Sequence, residues 1–213
     1  MAAPSGSSEA GSLAEERLDG LLELIAQRTP APGGGSAAAC AAAIAAALQQ
    51  MAAAFTLTRD EYADRHEAAG ELHTRAGALR AAAVELADRE RHSYVALLDA
   101  LRLPAGSPDR DQRIAAGRAE AIAAPLELCR LAAETAEIGA QLTRDGNPNL
   151  AGDAICGTLL AEAACQAAAA LVRLNVAASD GQTSADAASA DAASALADRA
   201  QEARRLALRS RLD

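Results

Sequence analysis

The sequence predicts an all-α bundle of about five to six long helices with an alanine-rich core. Of its 213 residues, 62 are Ala and 27 are Leu, against 10 Val and Ile together, so the apolar half of the chain is made of helix formers. Apolar positions recur at three- and four-residue spacing, and clusters of Pro, Gly and Asn separate the periodic stretches. The length suits one sizeable core. Residues 13–213 are therefore expected to form a single helical domain behind a disordered Ala/Pro/Ser/Gly lead, 1–12.

A first helix is expected over about Leu13–Arg28, with Leu18, Leu21, Leu22 and Ile25 on one buried stripe, and Thr29-Pro30-Ala31-Pro32-Gly33-Gly34-Gly35 ends it. A second, about Ser36–Thr58, is alanine on nearly every side and should be buried, its small side chains letting neighbours come close. A third spans about Glu61–Leu103, with core positions including Leu72, Leu79, Leu86, Leu97 and Leu101, and stops at Pro104. The fourth, about Asp109–Arg144, contains Pro125, which should kink or interrupt it. Asp145-Gly146-Asn147-Pro148-Asn149 turns the chain into a fifth helix, about Leu150–Ala178. After Ser179-Asp180-Gly181 a last helix covers about Ser184–Leu212. Its start repeats Ser-Ala-Asp-Ala-Ala with a period of five, which does not match 3.6, so a mobile or edge helix without a broad buried stripe is expected.

Composition excludes several kinds of chemistry. The net charge of −9 repels phosphate backbones and anionic lipid, and three aromatic residues are too few for a base-stacking surface, so neither nucleic acid nor a membrane is an expected partner. All 20 basic residues are Arg, which excludes lysine Schiff bases and a Walker loop. Cys40, Cys129, Cys156 and Cys165 have no CxxC spacing and read as buried reduced thiols. His66, His73 and His92 read as solvated, and no helix carries the Glu-x-x-His pair of a di-iron bundle, so no metal is expected. Ala37–Leu48 is apolar for only 12 residues, where a bilayer takes about 20, and no charged or apolar part of a signal peptide precedes Arg17. A cytoplasmic location is expected.

Two stretches carry more than helix packing requires. Pro32-Gly33-Gly34-Gly35-Ser36 opens a long helix, where glycines let the backbone approach a ligand and unpaired amides favour an anion or a carbonyl; a flexible linker with Ser36 as N-cap is the alternative. Gly146–Asp153 opens another. Asn147 or Asn149 can cap it, whereas Asp153, in an otherwise apolar helix start, needs a partner or a ligand if buried.

These stretches resemble the cyclodeaminase/cyclohydrolase family. Thr29–Ala39 is similar to its "PTPGGGSVAA" signature, Met51–Tyr62 to an "MVA.LT....Y" run, and Gly146–Ala154 to "GN.N..SDA". Leu101–Pro104 and Ala124-Pro125-Leu126 also match, and Val172–Val176 is similar to "NVRIN", so that the likeness covers about 13–180. The resemblance implies a dimeric or dimer-based all-α protein whose substrate is a reduced folate carrying a one-carbon unit between N5 and N10. The reaction would be hydrolysis of 5,10-methenyltetrahydrofolate to 10-formyltetrahydrofolate, or cyclisation of 5-formiminotetrahydrofolate with ammonia release. Each needs a proton shuttle and a partner for a cationic centre.

Asp153 is the first candidate for that work and Glu90 the second. Pro32, Gly33, Gly34, Gly35 and Ser36 would present the backbone to the ligand, with Asn147, Asn149 and Asn175 as hydrogen-bonding side chains. Without lysines, Arg173 and Arg59 are the candidates for a folate's glutamate tail, an ion pair being the alternative for Arg173. The chain departs from the family at Arg59 and Asp60, where lysines follow the "LT", at Gly152 in place of Ser, at Leu171 in place of Asn, and at Glu90, which is at best the counterpart of the acidic residue in the family's "ED..AF" segment. An inactive folate-binding or scaffold protein is the competing expectation.

Overall fold

The structure, a computed structural model, describes residues 12–179 and 183–212. The expected lead, Ser12 apart, and the Asp180-Gly181 turn lie outside the described residues. Among the described residues there are six α-helices: α1 Leu18–Ala26, α2 Gly34–Leu57, α3 His66–Arg102, α4 Arg110–Asp145, α5 Ala151–Ala177 and α6 Ser184–Leu212. Short 3-10 turns cover Leu13–Glu15, Asp60–Arg65 and Pro148–Leu150.

Helices α2 to α5 run alternately up and down, as short connections dictate. Contacts between distant residues set the register. A Cβ on Gly35 would meet Glu90, one on Gly77 would meet Gln50, and Arg75 pairs with Glu134. Cys129 and Cys165 face each other across α4 and α5. The core is mostly alanine, as in Ala42, Ala45, Ala132, Ala161 and Ala168, with Leu79, Leu86 and Leu131 filling the wider gaps. Where α2, α4 and α5 converge, Gln49 is fully buried and donates to the Ala154 carbonyl at 3.0 Å. Gly139 and Gly157 make the room, since a Cβ on either would lie 2.4 or 2.3 Å from the Gln49 amide nitrogen. Any larger residue there would overpack three helices at once.

Of the two outcomes expected at Pro125 the interruption does not occur, since α4 is continuous through it. Other expectations need correction. Leu101, expected in the core of α3, is exposed near its end. The last helix does carry a buried stripe: Ala193, Leu196, Ala197, Ala200, Ala203 and Ala207 form a buried ridge against α4 and α5, because small residues recur at helical spacing between the aspartates. The α1 stripe is open, with Leu18 and Leu22 exposed. The second helix is buried on one side only, leaving Ile44 and Phe55 exposed. Of the cysteines, Cys129 and Cys165 are buried, Cys40 is half-buried and Cys156 is exposed; all four are free thiols.

Both α2 and the segment Pro148–Ala177 are long and apolar enough to cross a membrane. Each nevertheless turns one face into the bundle core, and α5 leaves Leu159, Leu160 and Leu174 exposed on the other.

Candidate functional site

The first amides of a helix find no acceptor within it and carry positive partial charge. At the start of α2 Gly33 occupies the capping position with no side chain to cap, and the first helical bond runs from the Ala37 N–H to the Gly33 carbonyl at 3.0 Å. Ser36 is not the cap. Its hydroxyl is buried and donates to the Ala87 carbonyl of α3 at 2.9 Å, which fastens the bend to that helix.

None of the three glycines has a positive φ, so backbone freedom does not explain the triplet. At Gly35 space does. A Cβ on Gly35 would lie 2.1 Å from Glu90 Oε1 and 2.4 Å from its Cδ, so the missing side chain is what lets the Glu90 carboxyl rest on the first turn of α2. A Cβ on Gly34 would meet nothing within 4 Å, and one on Gly33 only the Pro30 carbonyl at 3.9 Å. A ligand can therefore reach this backbone directly.

A cavity of about 270 Å³ lies here, lined by Gly33, Gly34, Gly35, Ser36, Glu90, Arg91, Tyr94, Leu97, Ala121, Leu171 and Asn175. Ligand pockets commonly begin near ~300 Å³, so the cavity suits a fused two-ring heterocycle whose longer attachments stay outside. Pro32 is buried within the bend.

Burial pushes the Glu90 carboxyl above its ordinary pKa; Glu120 adds to the rise and Arg89 opposes it. The Arg89 guanidinium is engaged elsewhere, with Glu120 at 2.5 Å and Glu127 at 2.6 Å. Arg91, also on the cavity wall, is buried and lies 3.6 Å from Asp88. Asp88 in turn accepts from the Leu13 N–H at 2.8 Å and from the Ser12 hydroxyl. Asn175 sends its Nδ2 to the Ala121 carbonyl at 2.6 Å. The cavity thus holds a carboxyl with raised proton affinity, backbone donors on one wall and an oriented amide on another.

Other expected site residues lie elsewhere in the chain. Asn147 accepts from the Asn149 N–H at 2.9 Å, and its own N–H donates to Thr56 at 3.0 Å, so it joins the turn to the far end of α2. Asn149 is exposed there, and Asp153 is half-buried in the first turn of α5. The 24 residues of α2 separate that end from the glycine bend by about 36 Å. Arg59 is exposed at the same far end. Arg173 is exposed near the end of α5, where its charge acts on the Cys129 thiol, and it does not line the cavity. A second hollow of about 240 Å³ at the far end is lined by Thr56, Asp64, Arg65, Asp145 and Gly146, among others. There Arg65 donates to the carbonyls of Asp145 and Gly146, both at 3.1 Å.

Sequence reasoning misses Arg91, Tyr94, Leu97 and Ala121 as cavity residues. The signal for two of them is present, because Tyr94 and Leu97 follow Glu90 at i+4 and i+7 and so share its face. Among the described residues no group of three or more His, Cys, Asp or Glu is placed to hold a metal ion.

A family model described as formiminotransferase-cyclodeaminase matches residues 17–194. No curated protein sequence gives a significant match. Among solved structures, the crystal structure of formiminotetrahydrofolate cyclodeaminase from Thermotoga maritima is similar with a TM-score of 0.84, over 92% of this chain and 96% of that one, at 20% sequence identity. At that identity the likeness establishes the fold.

Proposed function

Since the chain belongs to the formiminotransferase-cyclodeaminase family, we propose that it is a folate-dependent one-carbon enzyme acting at the glycine-bend cavity. Its reaction would be cyclisation of 5-formiminotetrahydrofolate with release of ammonia, or the related hydrolysis of 5,10-methenyltetrahydrofolate to the 10-formyl form. One observation carries this reading: the Glu90 carboxyl, its proton affinity raised by burial, rests on the open amide turn of α2 inside a cavity of ring size.

Both reactions shuttle one proton and break one C–N bond. In cyclisation N10 attacks the carbon of the protonated formimino group and loses its proton, and the terminal nitrogen, already NH2, takes that proton and leaves as ammonia. In hydrolysis water adds to the amidinium carbon and gives up one proton, N5 takes that proton as its bond to the carbon breaks, and the hydroxyl of the adduct releases its own proton to solvent as it becomes the formyl carbonyl. A single carboxyl that accepts a proton and returns it serves either sequence. Its anionic form also offsets the cationic carbon centre. The amides of Gly34, Gly35 and Ser36 hold a carbonyl of the heterocycle, and Tyr94 and Leu97 cover its face.

Asp153 joins this site only across a pair of chains. The outer faces of α2 and α5, with Ile44, Phe55, Leu159 and Leu174 exposed, favour a second copy as their cover. A two-fold axis crossing the middle of α2 would bring the Asn147–Asp153 end of one copy to the glycine bend of the other. In this reading 13–213 act as one domain of a cytoplasmic homodimer, Asn149 and Arg59 arrive with Asp153, and Arg173 meets the folate tail outside the cavity.

The test is direct. Purified protein is expected to remove the near-ultraviolet absorbance of 5,10-methenyltetrahydrofolate faster than buffer, or to release ammonia from 5-formiminotetrahydrofolate. Rates equal to buffer in both assays reject the enzymatic reading and leave a folate-binding or scaffold protein.

A further inference from the structure

Pro125 stands inside the uninterrupted α4. Proline has no N–H, so the carbonyl four residues earlier, that of Ala121, loses its helical donor. The replacement comes from α5, where Asn175 Nδ2 donates to the Ala121 oxygen at 2.6 Å. A carbonyl oxygen can only accept, so the amide must stand with its nitrogen toward α4 and its oxygen turned away. That oxygen takes part in no hydrogen bond among the described residues, and Asn175 and Ala121 both line the glycine-bend cavity.

We infer that Asn175 is the fixed acceptor of the cavity, its orientation set by Pro125, and that it selects ligands presenting an N–H at that wall. As a statement about ligands this rests on the folate reading above; as a statement about the two residues it does not. Without the proline, the Ala121 carbonyl would be taken by the helix and the Asn175 amide could stand either way. With it, one wall of the cavity accepts while another, the first turn of α2, donates. A ring that presents both an N–H and a carbonyl satisfies both walls, and one that presents only carbonyls does not.

The experiment is a double-mutant cycle with Pro125→Ala and Asn175→Leu, read by urea unfolding and by calorimetric titration with 5-formyltetrahydrofolate. In the wild-type background Asn175→Leu leaves the Ala121 carbonyl unpaired and lowers the urea midpoint. On the Pro125→Ala background the same change is expected to lower it by less than half as much, because the backbone N–H that this substitution introduces has taken the carbonyl. Equal losses in both backgrounds overturn the orientation lock, whatever the ligand. For the ligand, Asn175→Leu on Pro125→Ala is expected to weaken binding about tenfold, while Asn175→Asp, which keeps an acceptor, stays within about threefold. Unchanged affinity with Leu overturns the acceptor role and leaves the folate reading standing. Failure of the wild-type protein to bind the probe removes both the folate reading and the acceptor role, and the urea comparison still decides the lock.

Discussion

Glu90→Gln is expected to lower turnover by roughly a hundredfold or more, the usual cost of losing a proton-transferring side chain, while the fold becomes no less stable at neutral pH. The two outcomes have one cause. Burial disfavours the charged carboxylate and raises the Glu90 pKa, so the folded state binds this proton more tightly than the unfolded chain. Stability then falls as pH rises from the ordinary carboxylate value through the raised one, and the penalty is fully present above it. The Gln variant lacks that penalty. Its unfolding free energy should exceed wild type at pH 7 and converge with it in acid. Activity moves the other way: where Glu90 takes the proton from water, kcat/KM climbs with pH through the raised pKa and then levels, and Gln removes the climb. Thermal unfolding and pH–rate profiles of the two proteins check both halves. A variant that loses stability in step with activity assigns Glu90 a packing role.

Mixing two inactive variants is expected to restore activity. If Glu90 of one copy works with Asp153 of the other, Glu90→Gln and Asp153→Ala proteins are each nearly inactive as pure dimers. Co-expression makes mixed dimers in which one site carries both substitutions and the other carries neither. Random pairing makes half of the dimers mixed, each with one intact site of two, so specific activity should return to about a quarter of wild type. Residues that served the same chain would give no recovery. The measurement is the methenyl absorbance decay of the co-purified mixture against each parent.

The helices are legible in the sequence because alanine and leucine recur at helical spacing and because Pro30–Gly35, Pro104 and Gly146–Asn149 break the chain where the structure turns. The buried ridge of α6 hides behind a conspicuous aspartate repeat of the wrong period. Pro125 shows only its local cost in the sequence; the Ala121 carbonyl that it leaves without a helical donor is satisfied by Asn175, 54 residues on from that carbonyl, which no local pattern shows. The glycine bend, Glu90 and Asn175 stand out separately along the chain, and the alternating direction of α2 to α5 brings them together. The same alternation puts Asp153 at the opposite end of the chain's bundle, because α5 begins where α2 ends. Gly35 suggests conformational freedom, yet what it supplies is an empty volume for a carboxyl from another helix. Such a reason depends on helix register, which spacing along one helix does not encode.

The central claim is that the glycine-bend cavity, with Glu90 in it, receives the folate ring. Its most direct test is a crystal structure of the protein with 5-formyltetrahydrofolate. The ring is expected within hydrogen-bond distance of the Gly34–Ser36 amides, with the Glu90 carboxyl facing the one-carbon unit and the Asn175 oxygen on a ring N–H. Density for the ring in the hollow between Arg65 and Gly146, with the glycine bend unfilled, would contradict the account.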